Sequence, residues 1–305
     1  MADPKVSVVI ISYNMARELP RTIKSFSPTM QRGVGAKEYE LIVVDNGSAR
    51  LPAEQELKAI APNLVLLSQP APTVSPVPAI HRGLQGARGE LVGVCIDGAR
   101  MASPGLIATA LAASRLHERA IVGTLAFHLG PDVQMASVLL GYSQQVEDAL
   151  LAACGWEEDG YRLFRISTFA GSSECGWFMI PAETNALFLR RTHWRELDGG
   201  YDLRFKAPGG GLANLDLWQR LAADDTAEVI MLLGEGTFHQ VHGGVATNAT
   251  SSTWPQFHQE FVAIRGIDYV RPVRQTVLFG SFNSESARHL AYSVERLQAH
   301  TADRG

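Results

Sequence analysis

Asp97 ends an apolar run, Leu91–Ile96, within "GELVGVCIDGARMASPG" at 89–105. The run is apolar enough for a strand buried on both faces, and Asp97-Gly98 breaks it at its carboxyl end. Open α/β sheets bind their ligands at that end, so an acid there can take part in chemistry. A site that holds a nucleotide diphosphate through a divalent metal usually shows a second acid nearby. Here the next residues are Gly98, Ala99 and Arg100. Asp45 ends a similar run in "YELIVVDNGS", where Asp-Asn-Gly also reads as an Asx turn. Asp216 stands in the first turn of a helix read from "NLDLWQRLAADD", where a negative charge favours the helix dipole.

The elements that must position these residues alternate. Val6–Ser12 is a first strand, and "MARELPRTIKSF" follows with helical spacing at Leu19, Ile23 and Phe26. A strand then ends at Asp45, a helix covers Glu54–Ile60 and a short strand covers Asn63–Ser68. The Pro-rich "QPAPTVSPVP" is a connector, and a helix over Ala79–Ala87 precedes the strand that leads to Asp97. This alternation predicts a Rossmann-like α/β fold, a mostly parallel central sheet flanked by helices. The second half predicts one helix within Val133–Gly155, and an edge strand in "GWEEDGYRLFRIS". A further strand lies in "WFMIPAETNALFLRR", a loop in "HWRELDGGYDLRFKAPGGG", and a strand pair in "AEVIMLLGEGTFHQVHGG". Two amphipathic helices from Trp254 form a C-terminal extension. The expected division is a nucleotide-handling half at 1–125, an acceptor-binding half at 126–250 and the extension at 251–305, the first two halves within one unit.

With 305 residues, 46% hydrophobic, and a net charge of −4, the chain can bury a large core. It lacks the basic stripe of a nucleic-acid binder. No apolar run approaches the roughly 20 residues of a membrane span. The start enters a strand without signal architecture, and Cys95, Cys154 and Cys175 read as thiols in a reducing, cytoplasmic setting. Sequons at Asn46 and Asn248 would then carry no sugar.

Five segments occur in the order of glycosyltransferase family 2, of GT-A fold: "VSVVIISYN", "YELIVVDNGS", "GARGELVGVCIDGA", "NALFLRRTHWRELDGGYD" and "NLDLWQRL". The chain resembles that family over roughly residues 5–245. The resemblance implies a nucleotide-diphosphate sugar donor, UDP- or dTDP-linked, a carbohydrate or glycolipid acceptor, and inverting transfer for glycan or polysaccharide synthesis. It places Ser12, Tyr13 and Asn14 where the base packs, and makes Asp45 the acceptor of a uracil or thymine imide hydrogen. Asp97, Arg82 and Arg100 would then serve the donor phosphates. Trp156, Trp177 and Trp194 are candidates for stacking on a sugar near residues 130–185 and the Gly-rich loop 208–211.

The sequence departs from the family at three places. The usual Asp-x-Asp ends here in Ala99, which leaves Asp97 to hold Mn²⁺ or Mg²⁺. Related enzymes bring a histidine to this metal from the segment matched by "TFHQVHGG". On a strand His239 and His242 face opposite ways, so His242, next to Gly243-Gly244, is the expected second ligand. Arg100 could instead neutralise the diphosphate without metal. The family's Glu-Asp pair, whose Asp is the general base, is replaced by Ala213 and Asn214, and an amide cannot take the proton. Asp216 is the nearest carboxylate, with Glu183, Asp202 and the two histidines as further candidates. An Arg-Asn pair is replaced by Ile80-His81, with Arg82 one place late. These departures admit a second reading, a catalytically impaired domain that supports another glycan-assembling enzyme. A nucleotidyltransferase is disfavoured, because "SYNMARELP" has no glycine-rich phosphate loop.

Overall fold

The computed structural model describes residues 3–243 and 253–302, so the sequon at Asn248 lies outside the described residues. The strands are β1 (Val6–Ser12), β2 (Tyr39–Asp45), β3 (Leu64–Ser68), β4 (Leu91–Cys95), β5 (Arg100–Ala102), β6 (Ala120–Leu129), β7 (Ser167–Phe169), β8 (Ala186–Arg190), β9 (Glu228–His239) and β10 (Val277–Gly280). The helices are α1 (Leu19–Ser25), α2 (Glu54–Ile60), α3 (Val77–Gly86), α4 (Leu106–Ala113), α5 (Gln134–Leu139), α6 (Gln144–Cys154), α7 (Arg191–Glu196), α8 (Ala213–Ala222), α9 (Trp254–Arg265) and α10 (Leu290–Ala302).

One sheet runs in the order β10-β9-β6-β8-β4-β1-β2-β3, with β5 added to β9 and β7 to β6. Strands β4, β1, β2 and β3 are parallel. Strand β8 lies antiparallel between β4 and β6, and β9 and β10 continue parallel to β6. The continuous apolar runs follow from burial on both faces. In β1, Val6, Val8 and Ile10 pack with Leu19, Ile23, Leu57 and Leu106, while Val9 and Ile11 belong to the opposite core with Ile80, Leu217 and Trp218. Helices α1, α2 and α4 therefore cover one face, and α3 and α8 the other.

Several expectations are corrected. The segment 133–155 holds two helices, because the backbone turns at Gly141 (φ 94°) and Ser143 caps α6 by accepting from the Val146 N–H. Most of the edge strand expected after Gly155 is a 3-10 turn over Gly160–Ile166, and only β7 follows. The first part of the expected loop after His193 is α7. The expected strand pair at 227–242 is one long strand, β9, which bulges against β6 where the register shifts between Gly123 and Leu125. Gly234 carries the bend at φ 74°, and a side chain there would meet the Ser281 carbonyl at 2.1 Å. Both C-terminal helices form, but β10 between them joins the sheet beside β9. All three tryptophans proposed for sugar stacking are core residues, at 4%, 1% and 3% exposure. Trp177 packs among Phe127, Phe164 and Phe169, and the Trp194 indole donates to the Val92 carbonyl at 2.9 Å. The cysteines are free, with Cys95 and Cys175 buried and Cys154 half-buried. Among the described residues no helix is long and apolar enough to cross a membrane.

Candidate functional site

From β1 the chain steps outward to β2 and β3, then returns to place β4 on the other side of β1. The strand order reverses between β1 and β4, and the carboxyl ends of such strands are the usual ligand position in these sheets. Ser12 closes β1 and pairs in register with Asp45 at the end of β2. The Ser12 hydroxyl is buried and has no hydrogen-bond partner among the described residues. Tyr13 is 55% exposed at the rim. Asn14, in the left-handed region at φ 53°, ties the two loops together. Its N–H donates to the Ser48 hydroxyl at 2.8 Å, and its Oδ1 accepts from the Ala49 N–H at 2.9 Å. The Asp45 carboxylate accepts the N–H groups of Gly47 and Ser48 at 3.2 Å, so the Asx turn is formed. Each oxygen retains acceptor capacity beyond that turn.

Asp97 lies just beyond β4. Its Oδ2 is 2.8 Å from His239 Nε2 and 3.5 Å from His242 Nε2, and the two imidazole nitrogens are 3.1 Å apart. Both histidines therefore reach the acid, not His242 alone. The strand ends at His239, so the alternation of faces no longer applies at His242. Pairing of β5 with β9 sets Arg100 opposite His239 and brings the distant histidine segment to Asp97. His239 Nδ1 donates to Gln134 Oε1 at 2.6 Å, which leaves Nε2 with its lone pair toward Asp97.

Burial works against the Asp97 carboxylate, yet His242 and His239 hold it well below the usual range. Burial lowers His239 to about 4, against the pull of Asp97. Burial also opposes the charge on His242, but Asp97 outweighs it and raises that group. With Nδ1–H given to Gln134 and a cation between the two groups, His239 Nε2 and Asp97 Oδ2 would aim two acceptor atoms at one point. Ligand atoms about 2.0–2.2 Å from a cation lie roughly 2.8–3.6 Å apart in octahedral or tetrahedral shells. The three contacts fall within that spacing, so Asp97, His239 and His242 fit a divalent cation.

Arg100 is 8% exposed, with Nε 3.9 Å from Asp97 Oδ2. Its Nε and Nη1 are buried without hydrogen-bond partners among the described residues. Arg82 is half-buried, and its Nε is likewise unpartnered. His128, whose ring centroid is 5.6 Å from that of His239, accepts the Gln134 N–H at 2.9 Å, and burial lowers it to about 2. Neither His128 nor Gln134 could be tied to this centre from the sequence, because the pairing of β6 with β9 sets His128 opposite His239 and α5 brings Gln134 to the same ring.

The acids near α8 behave differently. Asp216 is 1% exposed, and both its oxygens are held by Arg265 at 2.5 and 2.7 Å, with Arg220 at 2.9 Å. Asp202 is held by Arg204 and by Arg265 at 3.1 Å. Asn214 donates from Nδ2 to Glu183 Oε2 at 2.6 Å and to the Thr184 carbonyl at 3.0 Å. Its Oδ1 accepts from the Tyr201 hydroxyl at 3.2 Å.

Residues 7–140 match the family model "Glycosyl transferase family 2". No curated protein matches the sequence. Among solved structures, S. aureus TarS 1-349 in complex with UDP-GlcNAc aligns at TM-score 0.55 and 14% identity, over 96% of this chain and 72% of that one. The same piece in complex with UDP aligns at TM-score 0.50 and 13% identity, over 85% and 70%. A longer S. aureus TarS chain aligns at TM-score 0.51 and 12% identity, and this chain spans only 42% of its length. At such identities the likeness shows a shared fold, here the GT-A fold.

Proposed function

We propose that this chain, a GT-A glycosyltransferase of the family 2 type over its first half, transfers a sugar from a nucleotide-diphosphate donor to an acceptor hydroxyl with inversion. The observation that carries the reading is the meeting of Asp97, His239 and His242 at the sheet's switch point, with Asp97 inside the family match and both histidines outside it. Ser12, Tyr13, Asn14 and Asp45 line the neighbouring strand ends, where the nucleoside would lie. A UDP-linked donor is favoured by the TarS neighbours, which were solved with UDP and with UDP-GlcNAc. A glycan or glycolipid acceptor would approach from the side of Glu183 and Asn214.

Asp97, His239 and His242 would hold the divalent cation, which when bound offsets the charge of the departing diphosphate. Two imidazoles and one carboxylate suit Mn²⁺ better than Mg²⁺, which favours all-oxygen shells. Arg100 keeps two buried nitrogens at the same place without hydrogen-bond partners among the described residues, and would supply a fixed positive charge to the phosphates. Calorimetry of UDP binding in EDTA, Mg²⁺ and Mn²⁺ tests the reading. Tight binding in Mn²⁺ that is lost in EDTA supports it. Full binding in EDTA transfers the diphosphate to Arg100, and no binding in any condition overturns the donor assignment.

A further inference from the structure

A carboxylate stands where the helix start carries only an amide. Strands β4 and β8 are antiparallel, with Cys95 paired to Ala186. Asp97 follows Cys95 at the end of β4 and Glu183 precedes Ala186 at the start of β8, so the two acids stand at the same end of neighbouring strands. Glu183 is half-buried, and its Oε2 accepts from Asn214 Nδ2 at 2.6 Å. Its Oε1 has no hydrogen-bond partner among the described residues. The amide of Asn214 can be oriented only one way. Its Nδ2 also meets the Thr184 carbonyl, which can only accept, while its Oδ1 takes the Tyr201 hydroxyl proton. The backbone beside Glu183 is fixed as well, because the Thr184 hydroxyl accepts from the Thr124 N–H at 3.1 Å and donates to the Thr124 carbonyl at 2.9 Å.

Four other acids near the site and α8 are engaged. Asp216 and Asp202 are paired with arginines, Asp45 closes its turn, and Asp97 faces the two histidines. We infer that Glu183 is the general base of this chain, with Asn214 the positioning residue that holds its carboxylate toward the acceptor. The inference rests on the transferase reading above. In the step it serves, the acceptor O–H proton passes to Glu183 Oε1 as the acceptor oxygen bonds the anomeric carbon. The bond from that carbon to the diphosphate oxygen breaks, and its electron pair leaves with the nucleoside diphosphate. Asn214 is thus part of the device that moved the base. A carboxylate at 214 would face Glu183 and the Thr184 carbonyl with three acceptor atoms and no proton between them.

The test measures UDP release from UDP-GlcNAc, UDP-glucose and UDP-galactose in Mn²⁺, with water as acceptor, beside calorimetric UDP binding. Glu183→Gln should cut release about a hundredfold or more, the usual worth of a general base, with UDP affinity within twofold of the parent. Glu183→Asp, which keeps the carboxylate, should recover part of the rate. Asn214→Ala should lower kcat about tenfold and leave the donor KM unchanged. Glu183→Gln releasing UDP within threefold of the parent overturns the inference, as does loss of UDP binding in both Glu183 variants, which would make the residue structural. A parent that binds UDP but releases none from any donor also overturns it. A parent that does not bind UDP overturns the donor reading instead.

Discussion

Nε2 of His239 lies 2.8 Å from Oδ2 of Asp97 across 142 residues of sequence, and the opposite nitrogen of the same ring is held by Gln134 at 2.6 Å. The imidazole is therefore clamped from behind, with its lone pair presented to the acid. Such outer partners fix the tautomer and raise the basicity of a ligating histidine. Gln134→Leu should weaken Mn²⁺-dependent UDP binding about 10–100-fold, in the usual range for outer partners, and Asp97→Ala should abolish it. Arg100→Ala should weaken UDP binding in every condition, because its charge is independent of the ion. Titrations in Mn²⁺ and in EDTA check all three, and an unchanged affinity in Gln134→Leu would remove the clamp from the site.

Asp45 closes its own turn and, in the proposed donor site, would also receive the base, two tasks that substitution can separate. Its carboxylate closes the turn through the Gly47 and Ser48 N–H groups. Asn can keep that turn, but it lacks the charge that would receive a pyrimidine imide. Asp45→Ala should weaken UDP binding about ten- to hundredfold, the worth of a charged hydrogen bond. Asp45→Asn should retain the parent melting temperature and still bind UDP more weakly. Parent-like affinity in both variants, by calorimetry, would take Asp45 out of the nucleoside contact.

Asn214→Asp supplies the carboxylate that the resemblance to family 2 implies at this position, yet it should not raise turnover. The new carboxylate would sit against Glu183, with which Asn214 now shares a 2.6 Å hydrogen bond. Two buried acceptors in that geometry repel, so Asn214→Asp should melt earlier than the parent at neutral pH. Adding Glu183→Gln supplies an amide donor and should recover much of the lost stability. A double variant no more stable than Asn214→Asp would show that the two side chains are not coupled.

Glu147 gives a pH signature in stability. Burial lifts its carboxyl to about 7 from an ordinary value of 4.5, against the Val241 N–H and the Arg17 charge. Between those values the unfolded chain ionises this group while the folded chain keeps it protonated. Its contribution to stability is full below about pH 4.5 and is lost as pH rises through about 7. Glu147→Gln removes the titration, so its stability relative to the parent should increase across that window and level off above it. Paired urea titrations from pH 4.5 to 8 check this, and a constant difference would show that Glu147 does not titrate there.

The strand ends were legible in the sequence because they depend on local patterning. Runs such as Val6–Ser12 and Leu91–Cys95 must be buried on both faces, and Asp45-Asn46-Gly47 and Asp97-Gly98 can only be turns that follow them. The motif order needed nothing beyond the chain itself, and with it the likeness to family 2, the fold and the acids at the strand ends could be read. The partners of those acids could not. Periodicity assigned His239 and His242 to opposite faces, but only the paired β5 and β9 show that the strand ends at His239 and releases His242 to turn back. Gln134 lies 105 residues from the histidine it holds, and Glu183 lies 31 from Asn214. Asp216 looked available because it follows a flexible Gly-rich loop, whereas Arg265, 49 residues later on α9, takes up its carboxylate. Hydrophobic spacing decides which face of an element is buried. Which polar group meets which is decided by register and helix docking across the whole chain, and this is where the chemistry of the site was set.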